Sequence, residues 1–170
     1  MILQEHIIKK ANSLVKRLNT RNPYEIADAI GIIVMPHPFS KLKGAYKVIQ
    51  RNRFIFLNSG LEDEMKRIVL WHEIGHDQLH RDYAANSDGL TEFNIFDICK
   101  NRMEYEANVF TAQLAHTDSE VLELCYQGYD LEQIAKALDS DINLIALKVN
   151  NLIAQGYDLH PQEHKNDFLK

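Results

Sequence analysis

The chain has 170 residues, 45% of them apolar and 25% charged, a balance that fits one folded domain and argues against a disordered or fibrous chain. No run approaches the ~18 apolar residues of a membrane span, and the first twenty residues mix Glu5, His6, Lys9, Lys10, Lys16 and Arg17 into an amphipathic pattern without a signal-peptide core. The net charge of −5 is uneven, because residues 1–70 carry 12 Lys and Arg against 6 Asp and Glu, and residues 71–170 carry 7 against 18.

In chain order, Ile2 to Leu18 reads as a helix, with Ile7, Ala11, Leu14, Val15 and Leu18 on one side. Asn22-Pro23 restarts the chain as N-cap and first helical residue, and Gly31 ends that helix. Ile32 to Met35 reads as a short strand closed by Pro36 and Pro38. Gly44 to Ile49 and Phe54 to Leu57 read as two strands of a hairpin turning at 50–53. The basic cluster Lys41, Lys43, Lys47, Arg51 and Arg53 reads as a solvated hairpin face. From Leu61 to about His80 the pattern is helical, with Met65, Ile68, Val69, His72, His76 and Leu79 sharing a face. Residues 81–96 read as irregular, with a loop at Asn86-Ser87-Asp88-Gly89. A helix is expected from about Asp97 to Ala115, then three shorter ones at 118–127, 131–138 and 141–155. The tail after Gly156 is polar and expected to fray. Cys99 and Cys125 make no disulfide framework and are expected as reduced thiols in a cytoplasm.

Chemistry concentrates at His72-Glu73-Ile74-Gly75-His76, an H-E-x-x-H sequence inside a helix. One turn separates the two histidines, so both imidazoles project to one side and can offer nitrogens to a tetrahedral zinc. Glu73, next to His72, can serve as general base toward an attacking water. Gly75 in mid-helix costs ~1 kcal/mol relative to Ala, which a close approach by another backbone would explain. A third protein ligand is needed, and three carboxylates compete. Asp82 stands ten residues after His72, but Leu79 occupies the place where that spacing needs a turning glycine. Glu104 lies on the next long helix, with Asn108 one turn further on the same side to orient a ligand histidine. Glu106 points about 200° away from Glu104 around that helix. Glu104 is favoured. His80, roughly 12 Å beyond His72 along the axis, is too far to share one ion with it.

The sequence resembles the ImmA/IrrE-type metallopeptidases. The resemblance lies in Asn22-Pro23-Tyr24-Glu25-Ile26-Ala27, Leu42-Lys43-Gly44-Ala45-Tyr46, Asn52 to Asn58, His72 to His76 with Leu79-His80, and Glu104-Tyr105-Glu106-Ala107-Asn108-Val109-Phe110. It implies a cytoplasmic zinc peptidase of bacteria, phages or mobile elements that cleaves or otherwise inactivates a helix-turn-helix repressor. His72, His76 and Glu104 would be ligands and Glu73 the base. One departure stands out: where the family often has L-L-M-P, this chain reads Gln113-Leu114-Ala115-His116-Thr117.

The expected fold is α+β and zincin-like: a small N-terminal sheet whose edge strand packs on the H-E-x-x-H helix, then an all-helical C-terminal part. Residues 1–116 form the peptidase core, 117–158 a helical subdomain of the same domain, and 159–170 a flexible tail. Strand 44–49 is the expected exposed edge for an extended substrate, and Tyr46 on it the expected oxyanion donor. One zinc per chain and a protein substrate are expected, with no membrane. Ile134 to Leu138 with Ile142 and Ile145 has a helix-turn-helix spacing. Residues 117–155, however, carry two Lys against seven Asp and Glu, a charge that phosphates repel. A zinc-containing regulator that binds a repressor without cutting it is the remaining alternative.

Overall fold

A computed structural model describes residues 2–85, 90–92 and 102–161. The architecture is α+β. Helices α1 (Ile2–Leu18) and α2 (Pro23–Ala29) precede strands β1 (Ile32–His37), β2 (Gly44–Ile49) and β3 (Asn52–Asn58). Then come α3 (Asp63–Ala85), β4 (Leu90–Glu92), α4 (Arg102–Ala115), α5 (Asp118–Tyr126), α6 (Leu131–Ala137) and α7 (Ile142–Ala154).

Local chemistry sets many of these boundaries. Asn22 caps α2 by accepting from the Tyr24 amide, with Pro23 where a missing N–H costs nothing. Thr117 with Glu120, and Asp130 with Gln133, close reciprocal capping boxes on α5 and α6. The β2–β3 hairpin turns through Gln50 (φ 49°) and Arg51 (φ 68°). Two consecutive left-handed residues match the twist of the strands they join.

The sheet order is β1-β3-β2-β4, with β1 parallel to β3 and β2 antiparallel to both neighbours. β1 runs on through Pro36 to His37 instead of stopping there, because an edge strand can spare the proline's missing donor. The expectation for strand 44–49 needs correction. β2 is interior, and β4 pairs along Gly44 to Tyr46. Three residues of β4 are too few for periodicity to reveal, which is why 81–96 read as irregular. α3 likewise continues past the expected end to Ala85, but breaks at His80 (φ −130°, ψ 20°). The loop expected at 86–89 and the helix start expected at 97–101 lie outside the described residues, as do Cys99 and residues 162–170.

The main core joins the inner sheet face (Ile32, Tyr46, Ile55, Leu57) to α1, α2, α3 and α4. A second cluster is built from Val121, Ile134, Ala135, Ile145, Val149 and Leu152. α7 supplies both, since its Leu144 and Leu147 belong to the main core. The 113–117 stretch forms a polar clasp across this junction. Gln113 Nε2 donates to Asn12 and Asp118, and the buried Lys148 donates to Gln113 and Asp118. His116 meets Glu120 at 3.2 Å and Ser140 at 2.8 Å. Burial is the main reason that Lys148 is pushed down to about 8 despite its carboxylate partner.

Candidate metal centre

His72, Glu73 and His76 lie in the middle of α3, and Glu104 and Asn108 at the start of α4. The two helices touch at Gly75, where an added Cβ would stand 3.3 Å from the Cα and the carbonyl oxygen of Ala107. The glycine therefore does admit a second backbone, and this closeness carries the Glu104 carboxylate to the histidines. His72 Nε2 lies 3.1 Å from Glu104 Oε2 and 3.0 Å from His76 Nε2. His76 Nε2 lies 3.3 Å from the same carboxylate oxygen. Each of the three residues offers a ligand atom within 4.8 Å of the other two, and they form such a group among the described residues. Glu106, His80 and the exposed Asp82 are outside it.

The donors suit a cation. Two imidazole nitrogens and one carboxylate oxygen are a set that zinc accepts, with a position to spare. Both rings are buried. Burial, reinforced by His72 and opposed by Glu104, lowers His76 to about 4, so that ring is neutral near pH 7 and keeps a lone pair for a metal.

Glu73 is buried one residue along from His72. Gly44, at the start of β2, roofs it: a Cβ there would come 2.9 Å from Glu73 Oε1 and 2.6 Å from Val69 Cγ1. Sequence reading left this contact unseen, although a glycine opening a strand can mark a close approach. Gly44→Ala is expected to overpack the site at a cost of about 1–3 kcal/mol and to displace the Glu73 carboxylate. Thermal melting should fall, while metal content stays. An unchanged melting temperature would contradict the contact.

Tyr46 does not take the place expected of it. It points to the inner face of β2 and is fully buried, and its hydroxyl donates to Asp77 Oδ1 at 2.8 Å. Burial and then the Asp77 charge push its pKa well up. Asp77 also accepts from Arg53 Nη1 at 3.2 Å and from Arg81 Nη2 at 2.9 Å. Arg53 goes on to the Ile30 carbonyl. Tyr46 and Arg53 thus pin α3 to the sheet one residue past His76. Arg53 is therefore not part of a solvated face, a role that the sequence suggests because its partner Asp77 is distant along the chain.

Behind the two histidines stand two more contacts. His72 Nδ1 is 2.9 Å from Asn108 Oδ1, as the shared helix face of Glu104 and Asn108 implies. His76 Nδ1 is 3.1 Å from His80 Nδ1, and His80 Nε2 is 3.0 Å from Glu106 Oε2. Burial raises the Glu106 pKa, but His80 and Arg102 outweigh it and hold the carboxyl below its usual range.

Comparison with known proteins points to one family. A family model described as Peptidase_M78, IrrE N-terminal-like domain, matches residues 27–150. The chain is 36% identical over 131 residues to an uncharacterized immunity region protein 2 of Bacillus phage phi105, covering 76% of this chain and 80% of that one. It is 29% identical over 133 residues to the metallopeptidase ImmA of Bacillus subtilis (strain 168), covering 74% and 73%. The family model spans the H-E-x-x-H helix, the Glu104 helix and all four strands of the sheet, and on this ground, with the phage relative, the chain belongs to the ImmA/IrrE family, the peptidases with an IrrE N-terminal-like domain.

Proposed function

We propose that this protein is a zinc metalloendopeptidase with a zincin-like core, and that it cleaves a protein substrate, a helix-turn-helix repressor of a phage or mobile element. The observation that carries the reading is the meeting of His72 Nε2, His76 Nε2 and Glu104 Oε2 beside the buried Glu73. The relatives' names, an immunity region protein and a metallopeptidase, support it for this chain.

His72, His76 and Glu104 would hold one zinc. When bound, the metal supplies a Lewis acid that polarises a carbonyl and acidifies water. Glu73 takes the proton from the attacking water and returns it to the leaving amine. Its burial and the roof at Gly44 keep that carboxylate in one place. Tyr46 is left out of the catalytic set, since its hydroxyl is committed to Asp77.

We read 1–116 as the peptidase core and 117–158 as a helical subdomain of the same domain, and α7, which feeds both clusters, supports their belonging to one domain. The helix-turn-helix spacing at 134–145 has an architectural use. In α7, the second helix of that pair, residues 143–149 are all buried, whereas reading DNA requires an open helix face. No described helix is long and apolar enough to cross a membrane. A repressor substrate places the protein in the cytoplasm.

The test is incubation of the purified protein with helix-turn-helix repressors from the same genome, with and without a chelator. Cleavage that the chelator abolishes is expected. A repressor that is bound but left whole in both arms would select the non-proteolytic regulator instead.

A further inference from the structure

We infer that His80 is a positioning residue that sets the tautomer of the metal ligand His76, with Glu106 as its anchor. The inference rests on the metal-centre reading above. The contacts run in one line: Arg102 Nε donates to Glu106 Oε1 at 2.7 Å, Glu106 Oε2 faces His80 Nε2 at 3.0 Å, and His80 Nδ1 faces His76 Nδ1 at 3.1 Å.

A carboxylate only accepts, so the hydrogen of a neutral His80 ring belongs on Nε2. That leaves Nδ1 as an acceptor, and the facing His76 Nδ1 must then donate. A neutral His76 has one hydrogen, now fixed on Nδ1, so its Nε2 carries the lone pair. That nitrogen is the one turned to His72 and Glu104. On the other ligand the same task falls to a neutral amide, with His72 Nδ1 donating to Asn108 Oδ1. The centre is thus asymmetric, with a carboxylate relayed through an imidazole behind one histidine and an amide behind the other. The break in α3 falls at His80 itself, and the ring stays buried. With no acceptor at Nδ1, His76 would also populate the tautomer that holds a hydrogen on Nε2. Metal binding would then have to expel it.

The test is zinc affinity by chelator competition at fixed pH, on the full chain, for wild type, His80→Leu, His80→Asn and Glu106→Ala. His80→Leu is expected to bind about 10–100-fold more weakly, the usual cost of losing an outer partner of a ligand histidine. His80→Asn should recover most of the loss, because its side-chain oxygen stands where Nδ1 stood and can accept from His76. Glu106→Ala should fall between wild type and His80→Leu. The absorption spectrum of the cobalt-loaded protein should shift in His80→Leu and return in His80→Asn. His80→Leu binding as tightly as wild type would overturn the inference, and so would His80→Asn binding as weakly as His80→Leu, which would mean that only packing mattered. If His80→Leu does not fold, Glu106→Ala with undiminished affinity overturns it equally. Failure of the wild-type chain to bind zinc would instead remove the metal-centre reading.

Discussion

Glu73→Gln is expected to leave the fold and the bound metal intact and to cut peptide cleavage by about 10²–10⁴-fold, the usual contribution of a general base. The argument starts from place. Glu73 is in the H-E-x-x-H turn but outside the group formed by His72, His76 and Glu104. The proposed mechanism therefore gives it a proton to move and not the ion to hold. Glutamine keeps the volume under Gly44, where the available space is already less than a methyl group needs. It cannot take a proton from water. Metal analysis and thermal melting should match wild type, and turnover of a cleavable repressor should collapse. Undiminished cleavage would remove Glu73 from the mechanism. Lost metal would make it a ligand or a structural support of one.

How much of this was legible in the sequence follows from how local each determinant is. The caps at Asn22, Thr117, Asp130 and Asp141 are set by side chains bonding two or three residues away, and the helices they open start within one residue of where the pattern puts them. The hairpin and the i, i+4 pair His72 and His76 are equally local. Gly75 was legible because its cost needed a reason, and Ala107 supplies it. What was lost depends on distant partners. β4 exists because Gly44 to Tyr46 offered it a register. Tyr46 and Arg53 both turn to Asp77 on another element, so neither an oxyanion donor nor a solvated charge describes them. As a direct ligand His80 is too far from His72, which is as much as its spacing along the helix says. Its spacing of four from His76 was visible, and the use of that spacing as a second-layer contact needed Glu106 across the helix pair to make it clear.

Glu104→Ala is expected to deplete zinc far more than Glu106→Ala. The two carboxylates sit two residues apart on α4, so they leave the helix about 200° apart and cannot share a target. Glu104 Oε2 stands 3.1 Å from one ligand nitrogen and 3.3 Å from the other. Glu106 reaches neither and spends its oxygens on His80 and Arg102. Removing Glu104 takes away one of the three ligands proposed for the metal and the negative charge that would offset a dication, and affinity should fall by more than the ~10–100-fold cost of an outer contact. Removing Glu106 leaves all three ligand atoms and costs only the support behind His80. Protein purified with zinc in the buffer should therefore come out nearly loaded for Glu106→Ala and nearly empty for Glu104→Ala. Equal depletion, or the reverse order, would mean that α4 presents a different face to the histidines. The pairing of Asn108 with His72, which depends on that same face, would then have to be abandoned with it.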